Sequence, residues 1–189
     1  MKPIIAFAFI VMCSSAIAET YLSANLSNKS DQVFLDNTGE ILTIITDHGK
    51  IKAPLTNTEQ EGFSQVKISS DKKLIGWTAE VTSYSNSYPL PRSLVIYQNG
   101  KVVRKIDDES IIPRWSFVNN NTAVAISSET AHFSTGIRYE LYSISTGKLL
   151  QTFGCDIDYP DVKHVVLKNV PSWVWSIRGT CPYTTTKPD

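Results

Sequence analysis

The sequence predicts an all-β protein of tandem antiparallel sheets, and three observations carry that prediction. Apolar and polar residues alternate with period two, the intervals between alternating runs carry turn chemistry, and two segments repeat one another. The chain has 189 residues, 42% of them hydrophobic and 10% aromatic. That is enough to bury a core, which excludes disordered and collagen-like chains. One domain is the natural reading at roughly 150 residues per domain. With 18 basic against 18 acidic side chains, the chain lacks the cationic excess that neutralises phosphates, which argues against a nucleic-acid partner.

Residues 1–18 read as a signal peptide. Lys2 supplies a positive start, Ile4 to Met12 an apolar run, and Ala16-Ile17-Ala18 a small-x-small cleavage site. The run is too short to cross a bilayer, which takes about 20 helical residues, so no transmembrane anchor is expected. Cys13 admits a lipid-modified alternative, but Met12 before it is not the small residue such signals use. Cleavage after Ala18 predicts a periplasmic or secreted domain over 19–189. Cys155 and Cys181 remain in it, and an oxidising destination makes a structural disulfide the simplest use of two cysteines. They lack the C-x-x-C spacing of redox pairs and the further ligands of a metal site.

The elements follow in order. Asn37-Thr38-Gly39-Glu40 before Ile41-Leu42 reads as a turn into a strand, and residues 53–62 hold one helical turn at most. Val66 and Ile68 alternate with Lys67 and Ser69, and Ile75, Trp77, Ala79 and Val81 with Gly76, Thr78 and Glu80. Trp115 and Phe117 alternate likewise. These read as half-buried strands. Trp173, Trp175 and Ile177 share that spacing, so Pro171 to Ile177 reads as the start of another strand. Ser70-Asp71, Gln98-Asn99-Gly100, Asn119-Asn120-Asn121 and Ser145-Thr146-Gly147 mark turns. The four tryptophans fit core packing better than ligand stacking.

Two segments superimpose. Val66 to Asp71 with Leu74 to Trp77 matches Trp115 to Asn120 with Ala123 to Ile126, 49 residues on. Leu94 to Val103 matches Leu141 to Leu150, 47 residues on. The units lie at about 62–106 and 111–153, four strands each, the size of a propeller blade. Ile68-Ser69-Ser70-Asp71-Lys72-Lys73 and the Gly-Lys hairpins at 100–101 and 147–148 resemble the WD40-like repeats of TolB-type β-propellers. The first element lacks the usual glycine, and the second unit has three asparagines there. The chain also looks like a group of small exported bacterial proteins of similar length. The resemblance covers residues 62–153 and implies a propeller-like architecture, not an activity. Closed propellers need four to eight blades. This length therefore predicts an incomplete or very small propeller-like stack, with a β-sandwich or partial barrel as the alternative.

Chemistry is sparse. Ser70-x-x-Lys73 has the spacing of a serine–lysine pair but falls in a turn rather than on a helix, and no G-x-S-x-G elbow occurs. Asp156, Asp158 and Asp161 are dense in oxygen ligands, yet Asp161 and Leu167 stand where a calcium loop has glycine and glutamate. An acidic solvated loop is the plainer reading, and neither metal nor cofactor is expected. His48 and His164 read as solvent-exposed. The remaining candidates are two long loops at equivalent places in the units, 82–92 and 127–139. Glu80 and Glu129 stand at matching positions. If the units are neighbours, both loops leave at one rim and bring together Tyr84, Tyr88, Arg92, Glu129 and His132. Loops on a rigid sheet, rich in Tyr and Arg, favour recognition. The sequence therefore predicts an exported binding or interaction module for a protein or envelope partner. The alternative is a small periplasmic hydrolase or carbohydrate-acting enzyme using Glu129 and His132 as an acid/base pair. A third, structural reading is assembly through an exposed strand edge.

Overall fold

The computed structural model describes residues 21–22, 32–46, 49–82, 88–108, 110–129, 137–155 and 170–177. They form three four-stranded antiparallel sheets, not closed into a barrel. The first holds β1 (Tyr21–Leu22), β2 (Gln32–Leu35), β3 (Leu42–Thr46) and β4 (Gly49–Lys52). The second holds β5 (Gln60–Ile68), β6 (Ile75–Val81), β7 (Leu90–Gln98) and β8 (Lys101–Asp107). The third holds β9 (Ile111–Val118), β10 (Ala123–Glu129), β11 (Ile137–Ser143) and β12 (Leu149–Cys155). Each is a simple meander whose neighbours in space are neighbours in sequence, because hairpin turns are the cheapest antiparallel connection. The protein is thus all-β, with propeller-like tandem sheets that are not closed into a barrel.

The turns explain themselves residue by residue. Asn99 and Gly100 both adopt positive φ, 49° and 81°, the two-residue turn whose twist matches its flanking strands. Asn119, Asn120 and Asn121 all take positive φ as well. Asparagine tolerates that region better than other side-chain-bearing residues. The hairpins also fix the repeat. Ile68 pairs with Ile75 and Phe117 with Val124, each pair 49 residues from its counterpart. The third strands superimpose differently from the Gly-Lys turns. Tyr97 pairs with Ile75 and Tyr142 with Val124, which sets β7 and β11 only 45 residues apart. The turn after β11 is longer than Asn99-Gly100, closing with Ser143 N–H on the Lys148 carbonyl, so turn and strand alignments diverge by two.

The sheets stack face to face. Val33, Leu42 and Ile44 of the first sheet pack on Phe63, Trp77, Val95 and Tyr97 of the second. The opposite face of the second, with Leu94, Ile96 and Ile106, meets Ile112, Trp115, Val124 and Ile126 of the third. As a result β6 and β10 are buried along both faces but for their terminal glutamate region. β6 is not the half-buried strand that alternation suggested, because a neighbour covers each side.

Trp115 keys the second and third sheets together. A Cβ on Gly76 would stand 2.4 Å from its Cη2, so the indole occupies the space a side chain would need. Its Nε1–H donates to the Gln65 carbonyl at 3.0 Å, and the Gln65 side chain donates to the Ile112 carbonyl at 2.9 Å. Gln65 reaches across because it sits in a β-bulge with φ 49°. Lys67 donates to the Trp115 carbonyl and lies 5.2 Å from the ring centroid. Burial lowers its pKa. At one end of the two strands the Asn121 amide donates to the Ser70 hydroxyl at 2.9 Å. These partners advance in step along β5 and β9, so the two sheets stack in the same sense. Farther out, Arg104 of β8 donates to the carbonyls of Ile144 and Ser145.

A second expectation is overturned. Residues 172–176 form a 3₁₀ helix, not a strand. Trp173, Val174 and Ile177 pack on Ala123, Ala125, Tyr139 and Leu141, covering the face of the third sheet that corresponds to the one Trp115 covers on the second. Trp173 Nε1–H donates to Gln151 Oε1 at 2.6 Å. A short helix presents Trp173 and Val174 to that face together, whereas successive strand residues point to opposite sides.

Candidate functional site: the rim of the second and third sheets

The rim is set by topology. β6 ends at Val81 opposite Leu90, and β10 ends at Glu129 opposite Ile137. Because the two sheets stack in the same sense, the connections β6–β7 and β10–β11 and the link from β8 to β9 leave at the same end.

Asp108, in that link, ties the end together. Its N–H donates to the Arg92 carbonyl at 3.0 Å. Its carboxylate accepts from the Ser110 N–H at 2.9 Å and from the Ser128 hydroxyl at 2.6 Å. Arg138 completes the arrangement, with Nη2 3.7 Å from Asp108 Oδ2 and Nε 2.7 Å from Glu140 Oε1. Both carboxylates are nearly buried, their side chains 6% and 7% exposed, while Arg138 is 52% exposed. The Tyr142 hydroxyl donates to Glu140 Oε2 at 3.0 Å. Burial, and then the adjacent Glu140 carboxylate, push the Tyr142 pKa up to about 12. Beside this group, Asp107 accepts from Ser93 at 2.7 Å and pairs with Lys105 at 2.8 Å. Burial works to raise its pKa, but those two donors hold it below the ordinary value.

The candidate residues divide. Arg92 lies on β7, where its carbonyl accepts from the Asp108 N–H, and Glu129 closes β10, one residue beyond the Ser128 whose hydroxyl donates to Asp108. Glu129 is partly buried, which raises its pKa against the opposing field of Arg114. Tyr88 precedes β7, 60% exposed, at the same rim. Tyr84 and His132 lie outside the described residues, as do Asp156, Asp158, Asp161, Cys181, His48 and His164. Cys155 closes β12, but its side chain is outside them too. Ser70 sits in a turn with its hydroxyl on Asn121, as a turn residue would. Among the described residues no group of three His, Cys, Asp or Glu is placed to hold a metal ion, and no helix is long and apolar enough to cross a membrane.

Sequence reasoning missed Asp108. The available signal was Asp107-Asp108-Glu109-Ser110, an acidic turn between a strand and the next repeat unit. Nothing in it says that the aspartate would be covered by an arginine from the following sheet.

No family model matches the chain, and no curated protein matches it. Among solved structures it is similar to a Kuenenia stuttgartiensis hydrazine synthase, at 11% identity and TM-score 0.48, over 67% of this chain and 34% of that one. It is also similar to a eukaryotic initiation factor, at 13% identity and TM-score 0.33, over 67% of this chain and 43% of that one. The chain thus spans about a third of the length of the first and less than half of the second.

Proposed function

We propose that this chain is an exported binding module that offers the rim formed by 82–92 and 127–139 to a protein or envelope partner. The observation that carries the reading is the Asp108 junction, which fixes the ends of β7, β10 and β11 to one another. Strand ends tied in this way meet a partner without first being ordered, which is how preorganised surfaces gain affinity. Tyr88 and Arg92 supply the residue types that dominate such contacts. The blade-like meanders and their 49-residue offset support kinship with WD40-like repeats of the TolB kind. On this reading residues 1–18 direct export, cleavage follows Ala18, and Cys155 bonds Cys181 in the periplasm or outside the cell.

Capture from the native envelope tests it. Wild type should retain a defined partner, and a Tyr88→Ala/Arg92→Ala variant should lose it with its unfolding midpoint nearly unchanged. Equal capture by both proteins removes the rim from the account. A second reading, hydrolysis of a carbohydrate or similar substrate, draws on the raised pKa of Glu129. Turnover that Glu129→Gln leaves intact rules that glutamate out as the acid or base.

A further inference from the structure

Among the described residues the three sheets have six edge strands, and five of them carry devices that discourage further pairing. β1 is two residues long. β4 carries Lys50 and Lys52, and β8 carries Lys101, Arg104 and Lys105. β5 contains Glu61 and Lys67, β9 contains Pro113 and Arg114, and these two lie against each other through Gln65 and Trp115. β12 is the exception. Leu149–Cys155 holds seven residues with neither charge nor proline. Leu149 and Leu150 are 49% and 53% exposed. Among the described residues β12 pairs only with β11.

We propose that β12 is a self-association edge, on which a second copy of this chain adds its own β12 antiparallel to make one continuous eight-stranded sheet. Charge selects that occupant. Strands β4 and β8 of another copy would bring lysines to an edge that has no acid to meet them. β12 brings nothing that β12 repels. Geometry agrees. The register shift on β12 falls between Leu149 and Gln151, leaving Gln151–Cys155 in regular pairing with Leu141–Ile137. That run is centred on Phe153, so a two-fold axis there pairs residue 151 with 155, 152 with 154, and 153 with itself. A two-fold pair closes after two copies, because each uses the same edge. The edge is also held in place beforehand, since Gln151 accepts from Trp173 and Phe153 packs on Tyr139. The inference is independent of the rim.

Sedimentation velocity of the purified chain over a concentration series reads the association directly. Wild type should show a monomer–dimer equilibrium. Thr152→Lys sets a charge beside the axis and should weaken it at least about tenfold. Leu150→Lys, at the exposed end of the strand, should act in the same direction. Both positions are exposed, so each variant should keep its urea midpoint. A wild type that stays monomeric throughout, as it would if β12 took a foreign strand or another part of this chain, overturns the proposal. A dimer that survives both lysines, or oligomers that grow past two, overturns it equally.

Discussion

Replacing Gly76 with alanine tests the contact that locks the second sheet to the third. The added Cβ would lie 2.4 Å from Trp115 Cη2, 3.1 Å from Cζ2 and 3.0 Å from Ile96 Cδ1. Carbon atoms rest at about 3.5–4.0 Å, so the indole must retreat by about 1 Å or more. It is poorly free to do so. Its Nε1–H is bonded to Gln65, Phe117 stacks edge-on with ring centroids 5.0 Å apart, and Lys67 lies over the ring. Overpacking of this kind costs about 1–3 kcal/mol, and restraint places this site at the upper end. Relief of glycine's backbone entropy returns about 0.5–1 kcal/mol. The net loss should be about 2 kcal/mol, or a fall in Tm of about 4–8 °C for a domain of this size. Urea unfolding of wild type, Gly76→Ala, Trp115→Phe and the double variant measures it. Phenylalanine ends short of the clash, so the double variant should be more stable than additivity predicts by about 1 kcal/mol or more. A neutral Gly76→Ala, or strict additivity, would refute the packing argument.

Three further outcomes follow from the rim. Arg138→Met should destabilise by about 2–3 kcal/mol in denaturant unfolding. It strips the counter-charge from two nearly buried carboxylates, and the half-exposed position of the arginine keeps the loss below that of a fully buried pair. Glu129→Gln should raise the unfolding midpoint at pH 7. The raised folded pKa means that ionising Glu129 opposes folding above its ordinary value of 4.5, so the advantage should vanish as pH falls below that value. An advantage that does not depend on pH contradicts the burial argument. Tyr142 keeps its proton in the folded state up to about 12 against an ordinary 10.0, so folding holds one more proton than unfolding between those values. Stability should therefore fall as pH rises through that window, and Tyr142→Phe should flatten this part of the pH–stability curve.

The strands were legible because their signals are local. Alternation around Trp77 and Trp115, the Asn-Gly turn at 99–100 and the asparagine run at 119–121 each specify backbone geometry from a few neighbours. Burial on both faces of β6 was not legible, since it depends on which sheets stack on which sides. Gly76 and Thr78 look like the solvent face of a half-buried strand, yet a Cβ at Gly76 would meet the next sheet. The error at Trp173 and Trp175 has the same root. Period two is shared by a strand and by a short aromatic segment, and only the uncovered face of Ala123 and Ala125 decides for the helix. At the rim, Arg92 and Glu129 could each be placed near the end of a strand from the repeat. Asp108 could not, because its partners Ser128 and Arg138 come from strands 20 and 30 residues further on.

Stacking of the second sheet on the third in one common sense underlies both the rim and the repeat, and proton NMR can read it. Cross-relaxation should connect the Trp115 ring to the Gly76 α protons, and those protons should be displaced by the ring current above them. The Trp115 indole N–H, bonded to Gln65, should exchange slowly with solvent. An indole whose contacts stay within β9 and β10, with a rapidly exchanging N–H, would mean that the sheets do not stack this way.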